Sequence, residues 1–374
     1  MKSTDNKPSR KKRLPVILTS IALVAAICLS LVYLKISSIA PDEGDAGILT
    51  EDIVGSTNKD VLYILVCGID YDSDDENRSG VGLTDLIMVL CLDKKANTLT
   101  LLQIPRDTYV GEIAGTGGTA KINALYSNGE DTVNRISNLA KIINEQFGLP
   151  IDYYMTIDMR AFREIINTLG GIEMYVPWDV PVMNELGEQV SLIPQGTHRI
   201  DGATAEIIVR SRKGYAQGDL RRLEMQQYFY AALFRTFRTY PLSDIVKVMP
   251  MFSSYVNTNM SVAQLGSLAA TLQRIDTASI TVIRCPGGAL GDVNGHTGLY
   301  GINSENMAVL LNDYMRPYSD DVPATELGLP TGLTFPYGEI TDTVTLMGDL
   351  PTAPPEDVPL AAEGLEEITE GSTA

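Results

Sequence analysis

The chain is predicted to fold as an α/β domain, a mixed or parallel sheet with helices on both faces, preceded by one N-terminal transmembrane helix. Three observations carry this prediction. Continuous apolar runs such as Val61–Cys67, bounded by glycine, suit strands buried on both faces. They alternate with stretches of helical spacing, the pattern of sheets covered on both sides. A charge-free run of twenty-one residues, Leu14–Leu34, stands ahead of them all.

At 1.5 Å per residue that run is long enough for a hydrocarbon core of roughly 30 Å. Arg10, Lys11, Lys12 and Arg13 abut its N-terminal end, so the positive-inside rule puts the N-terminus in the cytoplasm and the bulk of the chain outside the cell. A cleaved signal peptide is the competing reading. It is disfavoured because the run exceeds the usual signal core and because Ser38-Ile39-Ala40, the small-residue cleavage candidate, is followed at once by Pro41.

After a Gly-, Ser- and Asp-rich linker, strands are expected at Val61–Cys67, Leu86–Leu92 and Leu99–Ile104, with a turn at Asp93–Asn97. Ile136, Leu139, Ile142, Ile143 and Phe147 follow helical spacing and stop at Gly148. A strand at Ile151–Ile157, a helix at Met159–Leu169 halted by Gly170-Gly171, and a strand at Ile172–Val176 come next. Helices over Leu220–Tyr240 and Ser261–Ile275, a strand at Ile280–Cys285 and a helix at Ser304–Met315 complete the pattern. The regions are then a basic arm (1–13), the anchor (14–34), a linker (35–59), an exported catalytic domain (60–319) and an acidic Pro/Thr-rich tail (320–374). The tail is expected to stay solvated and largely disordered, apart from a short ordered piece around Leu333–Met347.

Charge excludes one broad class. The net charge is −18, and twelve carboxylates with no Lys or Arg lie beyond residue 319. Phosphate-backbone affinity needs a cationic surface, so nucleic acid is not a partner. Cys67, Cys91 and Cys285 lie in apolar runs and read as buried small hydrophobes, with a Cys67–Cys91 bridge left open. No CxxC or Cys/His ligand spacing suggests zinc. Only two histidines, His198 and His296, are present, each flanked by turn residues, so a histidine-based hydrolase is poorly supported.

Arginines beside carboxylates at element ends stand out instead. Pro105-Arg106-Asp107 follows a buried strand, where proline stops the ladder. Arg210 and Arg212 would share a face of an extended segment. Gly218-Asp219-Leu220-Arg221-Arg222 opens a helix, with Gln226 one turn beyond Arg222. Guanidinium forks suit phosphate oxygens. Asp70, Asp72 and Asp74 begin like a calcium loop, but Asp75 replaces its glycine and Val81 its closing glutamate. Asp70 and Asp85 remain as a pair suited to a hard divalent ion, or alternatively as solvated turn caps.

These residues resemble the LytR-CpsA-Psr (LCP) family, which transfers glycopolymers to the bacterial cell wall. The resemblance runs from Val61 to Phe237, more weakly to Met315. It rests on Cys67-Gly68-Ile69-Asp70, Thr84-Asp85, Ile104-Pro105-Arg106-Asp107-Thr108-Tyr109-Val110, Lys121-Ile122-Asn123-Ala124, Leu169-Gly170-Gly171-Ile172, Ile200-Asp201-Gly202 and Val209-Arg210-Ser211-Arg212, followed by Gly218-Asp219 and Arg222 through Gln226. It implies an α/β/α sandwich around a central mixed sheet, with a polyprenyl chain in an apolar pocket and Mg2+ beside the pyrophosphate. By the same resemblance Asp70 and Asp85 hold the metal. Arg106, Arg210, Arg212, Arg222 and Gln226 grip the pyrophosphate, with Lys121 as a further substrate contact, while Asp107 orients an arginine or acts as base. The chain departs from the pattern at Leu83, where the family has arginine, and Arg78 lies close enough upstream to reach the site from a longer loop. Gln103 and Met225 stand where serine and arginine are usual.

The expected function is therefore that of a single-pass, extracellular phosphotransferase, moving an anionic glycopolymer such as teichoic acid from undecaprenyl pyrophosphate to peptidoglycan. A polyprenyl-pyrophosphate hydrolase and a non-catalytic lipid-binding scaffold are the alternatives.

Overall fold

The computed structural model describes residues 49, 52–70, 82–128, 135–183, 188–211, 219–241 and 256–353. The expected membrane helix lies outside them, and among the described residues no helix is long and apolar enough to cross a membrane.

In chain order the main elements are β1 (Val61–Asp70), β2 (Leu83–Asp93), β3 (Thr98–Ile104), α1 (Arg135–Phe147) and β4 (Tyr153–Asp158). Then come α2 (Met159–Thr168), β5 (Ile172–Val176), β6 (Val180–Met183), β7 (Gln189–Ile193), β8 (Gly196–Ile200), α3 (Gly202–Arg210) and α4 (Asp219–Thr239). The C-terminal part adds β9 (Val256–Thr258), α5 (Val262–Leu272), β10 (Ile280–Arg284), β11 (Gly287–Ala289), β12 (Tyr300–Ile302), α6 (Ser304–Leu310) and β13 (Val344–Leu346).

Seven strands form one sheet in the order β13-β10-β3-β2-β1-β4-β9. β1 runs parallel to β4 and β3 parallel to β10, while the other pairs are antiparallel, so the sheet is mixed as expected. Strand alternation splits the core into two layers. Tyr63, Leu65, Cys67, Ile87 and Val89 pack with Ile136, Leu139, Ile143 and Phe147 of α1. Val66, Leu86, Met88 and Leu101 pack with Ala231 of α4 and Leu268 and Leu272 of α5. A third cluster joins β5, β8, α3 and α4 through Ile172, Ile200, Ile208 and Phe229.

Three expectations change. Arg210 ends helix α3 rather than standing on an extended segment, while Arg212 lies outside the described residues. Asp201 starts that helix by accepting a hydrogen bond from Thr204 N (2.8 Å), and burial of Ala205 and Ile208 along one helical face outweighs the strand preference of Ile207-Ile208-Val209. The acidic segment does not leave the domain at residue 320. Leu327 and Leu329 are buried in the α1 layer, ahead of the ordered piece expected around Leu333–Met347, and in that piece β13 pairs with β10 and Met347 is fully buried beneath α4 and α5. The linker also docks before residue 60, where Val54 N donates to Asn144 Oδ1 and Ser56 N to Asp152 Oδ1. The hairpin β6–β7 had no counterpart in the expected element order.

Cys67, Cys91 and Cys285 are buried free thiols. Desolvation raises all three pKa values, that of Cys91 to about 12, so they are inert packing groups.

Candidate active site

The parallel strands β1, β3 and β4 end on one side of the sheet, the edge where open α/β sheets place their ligands. At this edge the β1–β2 register breaks. Gly68 pairs with Leu86 but Ile69 with Thr84, so Asp85 is an extra residue in a β-bulge. Thr84 is fully buried and donates to Asn123 O (3.2 Å), whereas Asp85 lines the cavity beside Leu86. A bulge re-aims a side chain in this way.

Pro105 stops β3, and Arg106 Nη1 then donates to Asp85 Oδ1 at 2.5 Å. Asp107 sits between Arg106 Nε (3.7 Å) and Lys121 Nζ (2.9 Å). Asp85, Arg106, Asp107 and Lys121 thus alternate in charge along one row. Backbone bonds fix that row: Asn123 N donates to Arg106 O (3.2 Å), Ile122 N to Thr108 O (2.9 Å) and Tyr300 N to Asp107 O (2.9 Å).

Beside the row lies a cavity of about 220 Å³. Val66, Ile69, Leu86, Ile157, Phe162 and Phe229 make it apolar, while Asp85, Arg210, Arg222 and Gln226 supply its polar groups. Arg222 is buried at 6 % exposure. Gln226 Nε2 donates to Val209 O (3.0 Å), capping a carbonyl at the end of α3, and Tyr230 OH donates to Gln226 Oε1 (3.4 Å). Burial in the same layer pushes the Tyr230 phenol pKa up, so it stays a neutral donor.

The fold therefore brings Asp85, Arg210, Arg222 and Gln226 to one cavity, with Arg106 bonded to its rim. Asp107 and Lys121 extend the row away from the cavity. Arg78 and Arg212 lie outside the described residues. Asp70 ends β1, with a side chain also outside them. Met225 is buried in the third cluster, so its departure from arginine removes no cavity cation. Two functional candidates had no sequence signal. Tyr230 is two helical turns beyond Arg222, and Glu206 bonds to Arg210 one turn before it; only the helix registers reveal them.

A divalent ion has suitable chemistry at Asp85. One carboxylate oxygen is held by Arg106, and among the described residues the other has no hydrogen-bond donor. Among the described residues no group of three or more His, Cys, Asp or Glu side chains can hold a metal alone. Ligands from substrate phosphates and water would then complete the shell, as Mg2+ commonly arranges.

The sequence model of the LytR_cpsA_psr family matches residues 35–315. A curated relative, "Polyisoprenyl-teichoic acid–peptidoglycan teichoic acid transferase TagV" of Bacillus subtilis (strain 168), is 32 % identical over 253 residues, covering 65 % of this chain and 62 % of its own length. A TagU of the same description from Bacillus mycoides (strain KBAB4) is 28 % identical over 225 residues, covering 60 % of this chain and 67 % of its own length. The chain thus spans about three-fifths to two-thirds of the length of these relatives. The crystal structure of B. subtilis TagV superimposes with a TM-score of 0.56 at 26 % identity, covering 68 % of this chain and 96 % of that one.

Proposed function

The chain belongs to the LytR-CpsA-Psr family, and we propose that it is a membrane-anchored, extracellular phosphotransferase that moves an anionic glycopolymer from a polyprenyl pyrophosphate carrier to peptidoglycan. One observation carries the reading: an apolar cavity whose polar groups are Arg210, Arg222, Gln226 and Asp85, with Arg106 bonded to the last. An isoprenoid chain needs the apolar wall and a pyrophosphate needs the cations. Side by side they match a lipid-linked donor. The names of the TagV and TagU relatives support the polymer class.

Phosphoryl transfer asks a protein mainly for in-line positioning and charge neutralisation, so arginines can serve without a covalent nucleophile. Arg222, desolvated beside the cavity, would hold the phosphate next to the lipid. Arg210 and Arg106 would neutralise the charge that develops as an acceptor hydroxyl attacks the distal phosphorus, its proton passes to solvent and polyprenyl phosphate departs. Asp107, clamped between two cations, orients Arg106. Mg2+ bound at Asp85, with Asp70 from the neighbouring strand, would add charge neutralisation at the pyrophosphate. The anchor at Leu14–Leu34 would keep the domain at the membrane that confines its donor. The net charge of −18 need not repel that donor, because the Debye length of about 8 Å at physiological ionic strength lets the local arginines dominate.

The test is release of polyprenyl phosphate from a polyprenyl pyrophosphate-linked sugar by the purified chain, with and without Mg2+ and with Asp85→Ala as control. Mg2+-dependent release that the variant loses supports the reading. Lipid binding without release refutes it in favour of a scaffold. Free rather than peptidoglycan-linked polymer as product would point to hydrolysis.

A further inference from the structure

We propose that Glu206 is a positioning residue that aims Arg210 at the cavity; this rests on reading the cavity mouth as the pyrophosphate site. α3 packs against α2 so tightly that a Cβ on Gly202 would stand 2.3 Å from the carbonyl oxygen of Arg163. Gly202 N also donates to Asn167 Oδ1 of α2 (2.8 Å). This close approach places Glu206, one turn further along α3, between two arginines. Its Oε2 accepts from Arg163 Nη1 at 2.6 Å and its Oε1 from Arg210 Nη1 at 2.9 Å. Each carboxylate oxygen therefore serves a different guanidinium.

The carboxylate is well placed to aim. Its side chain is 16 % exposed, against 41 % for Arg163 and 47 % for Arg210, so the least exposed member of the trio holds the two more exposed ones. Both helices are fixed at their starts, α2 by Asp158 accepting from Ala161 N and α3 by Asp201 accepting from Thr204 N. Arg210 lines the cavity in the bridged conformation. An arginine in the last turn of a helix otherwise has many rotamers, and ordering them in advance removes that cost from ligand binding.

Aim and charge make opposite demands on the same substitution. Arg163, Glu206 and Arg210 sum to one positive charge, and Glu206→Gln raises this to two. If the carboxylate only diluted the local charge, the variant would bind an anion more tightly. If it aims Arg210, the variant binds more weakly.

The measurements use the full chain. Calorimetry reads the affinity for inorganic pyrophosphate, the release assay reads kcat and KM for the lipid-linked sugar, and a melting curve reads Tm. Glu206→Gln is expected to weaken pyrophosphate binding roughly five- to tenfold, the scale of ordering one rotamer-rich side chain on binding, and to lower kcat/KM in parallel. A purely structural Glu206 would lower Tm and leave affinity alone. Unchanged or tighter binding overturns the proposal. If Glu206→Gln is too unstable to assay, Glu206→Asp decides in its place, since it keeps the charge but draws the carboxylate back from Arg210 by one methylene. Weaker binding there supports the aiming role and unchanged binding refutes it. Should the wild type bind pyrophosphate yet release no polyprenyl phosphate, the transferase reading fails while a binding loss in the variants still supports Glu206. A wild type that binds no pyrophosphate overturns both.

Discussion

Arg106 donates to Asp85 across 2.5 Å, and Asp85 is the one residue that the β1–β2 bulge leaves without a cross-strand partner. A loop arginine is thereby tied to a strand carboxylate at the rim of the cavity. Neither residue is deeply buried, with side-chain exposures of 19 % and 30 %.

That exposure separates function from stability at this pair. Arg106→Ala is expected to reduce polyprenyl phosphate release by about 10²-fold, the cost of losing one charge-stabilising donor. Tm should fall only modestly, because a partly exposed pair contributes on the order of 1 kcal/mol. Asp85→Asn should behave alike. Kinetics and a melting curve on the same preparations check both statements.

Gln226 should combine the two effects. Gln226→Leu leaves the Val209 carbonyl without its donor and should cost about 1–3 kcal/mol in denaturant unfolding. Tyr230→Phe removes the longer 3.4 Å bond and is expected to be milder in both stability and release.

The α2–α3 crossing predicts intolerance at Gly202. Gly202→Ala sets a methyl 2.3 Å from the Arg163 carbonyl oxygen, a backbone atom that cannot swing aside. Overpacking of this kind costs typically about 1–3 kcal/mol. Urea unfolding should show that loss together with weaker pyrophosphate binding, because the helix that carries Glu206 and Arg210 must move.

Asp201 predicts a pH dependence. Its hydrogen bonds from Thr204 hold the carboxyl pKa below the ordinary value, so the unfolded state binds the proton more readily than the folded one. The cap therefore contributes fully above the unfolded pKa of about 4 and is lost as pH falls through the lower folded value. Asp201→Ala should lose about 0.5–2 kcal/mol at pH 7, and the gap from wild type should narrow below pH ~4. Melting curves at several pH values measure it.

The C-terminal segment 320–353, which straps back over the sheet edge through β13, predicts a cost outside the 35–315 family match. Met347 is fully buried against β10, α4 and α5. Met347→Ala should destabilise by about 2–5 kcal/mol, as for other buried large-to-small changes. A neutral result in denaturant would show that the strap is not part of the folding unit.

The central strands and most helices were legible because their signals are local. Val61–Cys67 is apolar at every position, as a strand covered on both faces must be, and Gly170-Gly171 halts α2 with two positive φ angles of 76° and 85° that side chains disfavour. Arg106, Arg210, Arg222, Gln226 and Asp85 could be singled out because cations beside carboxylates at element ends are a pattern in the chain itself. Helix α3 was not legible, since Ile207-Ile208-Val209 favours a strand locally and only packing on α2 and α4 overrides it. Nor was the course of the strap, where a few apolar residues among many carboxylates decide the outcome by reaching the core.

The sequence by itself determined the class of the sheet, the succession of its central strands and helices along the chain and the residue types available for pyrophosphate chemistry, because periodicity and composition act within a few residues. Only the tertiary structure decided which of those residues meet. A one-residue bulge turned Asp85 toward the cavity, Gln226 went to a carbonyl of α3, and a missing Cβ at Gly202 let Glu206 stand between Arg163 and Arg210. Each of these depends on how close two distant segments come, a distance that no local pattern encodes.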